Sequence, residues 1–165
     1  IDEADNLPLA FESCKKIISK IHRDSGIDYE SFVIYFSGSK GFHVGIPAYL
    51  IGQESFFSET TGSIIKLLAN KLVEGVAKID QKVYDTTRIF RLPNSLNSKK
   101  NMYKVLVSYS RVLSNTESDL EIILENAKNC INEKTAFVFN KRNQYLEKLF
   151  VACKEQSLRT IDIMS

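Results

Sequence analysis

The feature that most constrains the fold is a pair of short apolar segments separated by a glycine-containing loop. Residues 32–36 are aromatic and β-branched, and in residues 42–46 apolar side chains alternate with His43 and Gly45. A period of two is typical of a strand with one buried face. Because only residues 37–41 separate the two segments, we predict a β-hairpin in which His43 faces away from the apolar side chains.

Helical spacing of apolar residues predicts four helices around this hairpin. They cover residues 8–23, 64–76, 116–131 and 145–153. Further short strands are predicted at residues 79–84 and 103–109, while residues 88–92 fit both periods equally. The order of these elements indicates an α/β (α+β) fold in which helices pack on a mixed sheet.

The composition indicates one ordinary globular domain. Of the 165 residues, 44% are hydrophobic and 25% are charged, and a chain of this length buries roughly two thirds of the surface that it exposes when unfolded. With 22 Lys and Arg against 20 Asp and Glu, the net charge is +2. That balance does not by itself indicate nucleic-acid binding, so such a site must come from the local placement of charge.

The cysteines and the apolar runs limit the expected compartment. Cys14, Cys130 and Cys153 lie far apart without a Cys-x-x-Cys pair, which argues against a zinc site or a disulfide framework and favours a reducing compartment. No apolar run approaches the roughly 18 residues that span a bilayer, and the first residues lack the pattern of a secretory signal. We expect a cytoplasmic protein, not secreted and without a membrane partner. Since the sequence begins with Ile1 instead of Met, we treat it as part of a longer chain.

The hairpin loop has the composition of an anion-binding site. Two glycines allow backbone N–H groups to approach an anion closely, and two hydroxyls and an ammonium add donors. The loop sequence is Ser37-Gly38-Ser39-Lys40-Gly41. It matches neither the Walker loop nor the dinucleotide-binding glycine pattern, and the alternative interpretation is an ordinary hairpin turn that contains glycine.

Four further residues have both a chemical and a structural interpretation. His43 lies on the side of the strand that the loop would use, although a single strand histidine is commonly a hydrogen-bonded structural residue. Asp80 can hold a metal ion, and Arg88 and Arg91 present guanidinium forks that match phosphate oxygens. The alternative is a structural ion-pair cluster of one acid and two arginines.

Two blocks of sequence together resemble the archaeo-eukaryotic primase superfamily, which includes primase small subunits, primase-polymerases and the polymerase part of bacterial end-joining ligases. The block from Tyr35 to Val44, YFSGSKGFHV, resembles its Ser/His motif. The block from Ile79 to Ser95, IDQKVYDTTRIFRLPNS, resembles its third motif, an acid followed by Val-Tyr and then by Arg-x-x-Arg-Leu-Pro-x-Ser. The resemblance extends from Asp2 to about Lys100 and leaves the C-terminal helices uncovered.

The resemblance implies a fold and a domain organisation. Residues 1–115 would form an RRM-like mixed sheet with packed helices, the catalytic half of the primase fold, with its N-terminal part missing. Residues 116–165 would form a helical segment that packs on this core or leads to a further domain.

The resemblance also implies roles for individual residues. Asp2, Asp80 and His43 would be catalytic, with the two aspartates holding divalent Mg²⁺ or Mn²⁺ and the superfamily's first acid lying upstream of Ile1. Hard cations of this kind prefer carboxylate oxygens. The triphosphate of an incoming nucleotide would be bound by Ser37, Gly38, Ser39, Lys40, Gly41, His43, Arg88 and Arg91.

Three lysines are candidate nucleic-acid contacts. Lys99, Lys100 and Lys104 would contact template or primer phosphates, or they form a solvated basic edge of a strand.

The implied function is a DNA-templated nucleotidyltransferase, a DNA primase or primase-polymerase, in a prokaryotic, plasmid or viral replication context. It would join nucleoside triphosphates by attack of a 3′-hydroxyl on an α-phosphate, with release of pyrophosphate. Its partners would be a DNA template and primer and a replicative helicase domain or protein. Three alternatives stay open: an end-joining or gap-filling polymerase, a non-catalytic nucleic-acid-binding replication module that keeps the fold, and a domain whose motif residues are only structural.

Overall fold

The structure, a computed structural model, describes residues 6–52, 61–84, 91–138 and 142–164. These residues form an α+β fold, as the order of the predicted elements indicated, but all strand pairings among them are antiparallel, so the predicted mixed sheet is corrected. The sequence-predicted hairpin lies at its centre.

The main sheet has three antiparallel strands in the order β2-β1-β5. They are β1 (Val33–Phe36), β2 (Phe42–Gly45) and β5 (Val105–Val107). A separate two-stranded ribbon pairs β3 (Leu96–Asn97) with β4 (Met102–Tyr103). The predicted hairpin is confirmed, and the single strand predicted at residues 103–109 is instead divided between β4 and β5.

The two faces of the main sheet differ as the alternation predicted. One face is buried and carries Ile34, Phe36, Phe42, Val105 and Val107. The register places Tyr35 opposite both His43 and Leu106 on the other face. His43 therefore points away from the buried phenylalanines, in agreement with the prediction.

Five helices surround the sheet in the described part of the chain. They are α1 (Leu7–Ser25), α2 (Thr61–Val73), α3 (Tyr109–Ser114), α4 (Glu117–Asn129) and α5 (Gln144–Met164). The four predicted helices are confirmed, and α3 is new. Only six residues long, α3 is too short to show a helical period and is defined by its caps, Ser108 at the start and Asn115 in the left-handed conformation at the end.

Helix α1 shows how local signals set the bounds of these elements. The Asn6 side chain accepts from the N–H of Leu9 at 3.1 Å, and Pro8 occupies the first turn. Gly26 ends the helix with a φ of 71°, a left-handed conformation in which glycine is not strained. Phe11 then stacks on Phe42 of β2, with ring centroids 5.4 Å apart, so α1 covers the buried face of the hairpin.

The strand predicted at residues 79–84 is wrong, because Gln81–Tyr84 form a 3₁₀ turn. The Asp80 side chain accepts from the N–H of Lys82 at 2.9 Å, and the Asp80 carbonyl accepts from the N–H of Val83. An aspartate that bonds the backbone two residues ahead initiates a turn. This turn chemistry overrides the weak alternation of apolar residues.

The C-terminal helices share the core with the sheet. Their buried side chains belong to the same apolar cluster as those of α1 and the hairpin; they are Leu120, Ile123, Ala127, Leu146, Phe150 and Cys153. All three cysteines are free thiols. None of the helices in the described ranges combines the length and apolarity that crossing a membrane requires.

Candidate functional site

The loop between β1 and β2 is closed by bonds between its first and last residues. The Ser37 N–H donates to the Gly41 carbonyl (2.9 Å), and the Gly41 N–H donates to the Ser37 hydroxyl (3.3 Å). Gly38 has a φ of 74°, and a Cβ atom there would lie 2.8 Å from the carbonyl oxygen of Met102 in β4. Glycine is therefore required at position 38, because a side chain would be strained and would also collide with the ribbon.

This closure agrees with the register of the hairpin. Ser37 pairs with Gly41, and Tyr35 lies directly opposite His43. Ser37 lies two positions beyond Tyr35 along the same chain. Ser39 and Lys40 stand at the tip of the loop, where both are half-buried.

Arg91 joins the second sequence block to this loop. Its Nη1 donates to the Ser37 carbonyl at 3.2 Å, across 54 positions of sequence. A guanidinium has five N–H donors, so one bond to a carbonyl leaves others for a further acceptor. The loop of the first block and the arginine of the second are thus in direct contact.

Lys104 contacts the backbone of Arg91. Its ammonium donates to the Arg91 carbonyl at 2.8 Å and lies 5.0 Å from the centroid of the Tyr35 ring. Lys104 is only 2% exposed. Burial and the nearby Arg91 charge both lower the pKa of this ammonium.

His43 lies in the field of these cations. Burial is the largest cause that lowers the pKa of His43 to about 4, and the charges of Lys104 and Arg91 act in the same direction, whereas Asp80 opposes them. The imidazole is therefore neutral at pH 7. A neutral imidazole offers one N–H donor and one acceptor nitrogen.

Asp80 and His43 both line one cavity of about 150 Å³. The rest of its wall comes largely from apolar side chains of α1, α2 and β2. Tyr84, from the 3₁₀ turn that Asp80 initiates, lines the same cavity, and burial and the Asp80 charge raise its pKa. The fold thus brings the acid of the second block to the histidine of the first.

The remaining predicted site residues divide into three groups. Asp2 and Arg88 lie outside the described residues. Lys99 and Lys100 are exposed in the turn that joins β3 and β4. Lys104 is buried and bonded to a carbonyl, so the expectation that it belongs to one basic edge with the other two lysines is corrected.

Sequence reasoning did not assign Tyr35 and Tyr84 to the site. The place of Tyr35 could have been predicted, because alternation along the two strands of a hairpin with this loop puts its side chain on the same face of the sheet as that of His43. Tyr84 gave no such signal, because its segment has a strand-like pattern and folds as a turn.

The structure also bears on the expected metal. In the ranges that the structure describes, no group of three or more His, Cys, Asp or Glu side chains is placed to hold a metal ion. The Asp80 carboxylate is a hard oxygen donor of the kind that Mg²⁺ and Mn²⁺ prefer, and it is fixed by its bond from Lys82. Asp80 therefore suits the role of one ligand, and Asp2, the expected second, falls outside the described ranges.

Chemically, the site combines donors for phosphate-like oxygens with one carboxylate. The glycine loop accepts a bond from Arg91, the charge of Arg91 acts on the neutral imidazole of His43, and Asp80 lines one cavity with that imidazole. No protein-family model matches the chain, and no curated protein or solved structure is detectably similar to it.

Proposed function

We propose that the chain is a DNA-templated nucleotidyltransferase of the archaeo-eukaryotic primase superfamily, a DNA primase or primase-polymerase that synthesises or extends primers during replication. The observation that carries the proposal is the contact between the two sequence blocks. Arg91 of the second block donates to the Ser37 carbonyl in the loop of the first. This contact is what a single nucleotide site built from both blocks requires.

The charges around the loop support binding of a triphosphate. Burial is the largest cause that lowers the pKa of Lys104 and of His43. Arg91 lowers the pKa of Lys104 further, and both cations lower that of His43, so the basic groups lie close enough to repel one another. A polyanion would relieve this repulsion. Backbone N–H groups, hydroxyls and a guanidinium fork are suited to phosphate oxygens, and neutral His43 can donate an N–H without adding to the repulsion.

Each site residue then has a role in the reaction. The loop from Ser37 to Gly41, His43 and Arg91, together with Arg88, bind and orient the triphosphate. The primer 3′-hydroxyl oxygen bonds to the α-phosphorus, the bond from that phosphorus to the bridging oxygen breaks, and pyrophosphate leaves. Asp80 and Asp2 are the residues that would hold Mg²⁺ or Mn²⁺, which when bound would stabilise charge on the attacking and leaving oxygens.

The rest of the chain has corresponding roles. In this proposal residues 1–115 constitute the RRM-like catalytic core, and residues 116–165 are a helical segment that packs on it or leads to a further domain. Lys99 and Lys100, exposed in the β3–β4 turn, are accessible to template or primer phosphates. A replicative helicase, fused or separate, is the expected protein partner, and the cytoplasm is the expected compartment.

Primer synthesis on unprimed single-stranded DNA with Mg²⁺ or Mn²⁺ tests the proposal. Asp80→Asn should reduce product formation at least ~100-fold, since it removes a charge aimed at the reacting centre, with no change in melting temperature. The matched control is Asp24→Asn, because Asp24 pairs with Lys20 on the surface of α1 and should leave synthesis unchanged.

Other results of the same assay separate the alternatives. Full activity of Asp80→Asn would contradict the proposal. Extension of a primer without any synthesis on unprimed template would favour a gap-filling polymerase. DNA binding with neither metal dependence nor nucleotide incorporation would favour a non-catalytic replication module.

A further inference from the structure

Lys104 is almost fully buried, which is rare for lysine without a committed partner. Its ammonium donates to the Arg91 carbonyl at 2.8 Å. The backbone N–H of Lys104 donates to the Ser95 carbonyl (3.1 Å), and the backbone carbonyl of Lys104 accepts from the N–H of Asn94 (2.8 Å). Three hydrogen bonds thus connect one residue to the turn that carries Arg91.

Lys104 also contacts the central strand of the sheet. Its Nζ lies 5.0 Å from the centroid of the Tyr35 ring, within the range of a cation–π interaction. Tyr35 is the residue opposite His43 in the β1–β2 ladder. Lys104 therefore contacts both β1, the strand that leads into the loop at residues 37–41, and the turn at residues 91–95 that carries Arg91.

Burying an ammonium costs free energy that an apolar side chain of the same length would not. The geometry indicates what the charge does. The ammonium fixes the Arg91 carbonyl, and the Arg91 guanidinium in turn donates to the Ser37 carbonyl at 3.2 Å. The contacts form a continuous chain from Lys104 through Arg91 to the loop.

We propose that Lys104 is a positioning residue that acts through Arg91, holding the guanidinium and the loop at residues 37–41 in the arrangement that receives the triphosphate. This inference rests on the proposed function of the site. It assigns Lys104 to nucleotide affinity and not to contact with nucleic acid. A preformed site avoids the cost of ordering its side chains when the ligand binds.

A double-mutant cycle tests this role. The variants are Lys104→Met, Arg91→Ala and the combination, and the measured quantities are the Kd for ATP with Mn²⁺ and the KM and kcat of primer extension. Lys104→Met should raise Kd and KM about tenfold and leave kcat within about threefold of the parent. Because Lys104 acts through Arg91, the double variant should bind no more weakly than Arg91→Ala alone. Lys128→Met, an exposed lysine of α4 paired with Glu125, is the matched control and should change none of these values.

Two results would overturn the proposal. Unchanged Kd in Lys104→Met would mean that the buried ammonium only supports the fold. Additive effects in the double variant would mean that Lys104 acts on the nucleotide independently of Arg91. If Lys104→Met does not fold, Lys104→Gln takes its place in the cycle under the same criteria.

A second measurement separates failure of this inference from failure of the proposed function. If the parent chain binds no triphosphate, the proposed function is wrong, and hydrogen exchange at the Ser37 and Gly41 amides then decides the positioning role. Equally faster exchange of these two amides in Lys104→Met, Arg91→Ala and the double variant would support the chain of contacts from Lys104 through Arg91 to the loop. Parent-like exchange in Lys104→Met would contradict it.

Discussion

Arg91 and Arg111 are both half-buried, but their guanidinium groups have different kinds of partner. Arg111 contacts the carboxylates of Asp119, at 2.9 Å, and Glu133, so its charge is neutralised by acids. Arg91 donates to the Ser37 carbonyl, which carries only a partial charge. The first arrangement joins α3 to α4 and to Glu133 through ion pairs, whereas the second keeps positive charge beside the β1–β2 loop.

The titratable neighbours of the two arginines differ in the same way. Near Arg91, the pKa of His43 is lowered to about 4 by burial and by cations. Near Arg111, the pKa of Asp119 is lowered to about 2, chiefly by the hydrogen bond from the Thr116 side chain and further by Arg111. The Arg91 region disfavours added positive charge, whereas the Arg111 region favours the charged form of its acid.

The largest expected effect comes from exchanging each arginine for alanine. Arg91→Ala should raise the Kd for a nucleoside triphosphate with Mn²⁺ about 100-fold and change the free energy of unfolding by less than about 1 kcal/mol, since one hydrogen bond to a carbonyl is lost. Arg111→Ala should lower the free energy of unfolding by about 2 kcal/mol, because two charge-assisted contacts are lost. Urea denaturation measures the free energy of unfolding, and nucleotide titration measures the Kd. A large loss of nucleotide affinity in Arg111→Ala would contradict the distinction between the Arg91 and Arg111 regions.

A smaller effect is expected from replacing either of two glycines that have the same backbone conformation. Gly38 and Gly26 have φ values of 74° and 71°, but a Cβ at position 38 would meet the Met102 carbonyl oxygen at 2.8 Å, whereas nothing lies within 4 Å at position 26. Both Gly→Ala variants should lose about 1 kcal/mol of stability from strain, and Gly38→Ala should lose more, because its Cβ would also meet the backbone of the ribbon. Only Gly38→Ala should also weaken triphosphate binding, about tenfold, because the loop must move away from the ribbon. Equal nucleotide affinity in the two variants would show that the loop is not part of the binding site.

The smallest effect is expected in the dependence of stability on pH. Unfolded His43 gains a proton near pH 6.5 and folded His43 only near 4, so stability should fall as pH drops from 6.5 to 4. The folded pKa of Asp119 is lowered from 3.8 to about 2, so its contribution is complete above pH 3.8 and is lost as pH falls towards 2. Each loss should be about 1 kcal/mol after allowance for solvent screening.

Chemical denaturation across pH 2–8 separates these two windows. His43→Gln should remove only the loss of stability between pH 6.5 and 4, the upper window. Asp119→Asn should remove only the loss between pH 3.8 and 2, the lower window. The matched control for the imidazole is His22→Gln, since His22 lies at the end of α1 and stacks on Tyr29. Persistence of the upper window in His43→Gln would mean that His43 does not titrate as the site geometry requires.

Much of the fold follows from local sequence patterns. The hairpin and four of the helices have clear periods of two or 3.6 residues, and end signals such as Pro8 and Gly26 fix their bounds. The 3₁₀ turn at Gln81–Tyr84 was missed, since one hydrogen bond from the Lys82 N–H to the Asp80 side chain outweighs a weak alternation.

The burial of Lys104 could not be predicted locally. Val105 and Val107 point into the core, so strand parity places Lys104 on the opposite face, where a lysine is expected to be solvated. Residues 91–95 cover Lys104, because Asn94 and Ser95 bond its backbone and the Arg91 carbonyl accepts from its ammonium. Such coverage is a tertiary contact, and no period in the strand itself records it.

The most direct test of the account is a calorimetric titration of the folded chain with a nucleoside triphosphate in the presence and absence of Mn²⁺. We expect one saturable site that requires the metal, weakened about 100-fold by Arg91→Ala, abolished by Asp80→Asn and unchanged by Asp24→Asn. Absence of binding to the folded chain, or equal binding by Arg91→Ala, would contradict the claim that the two sequence blocks form one nucleotide site.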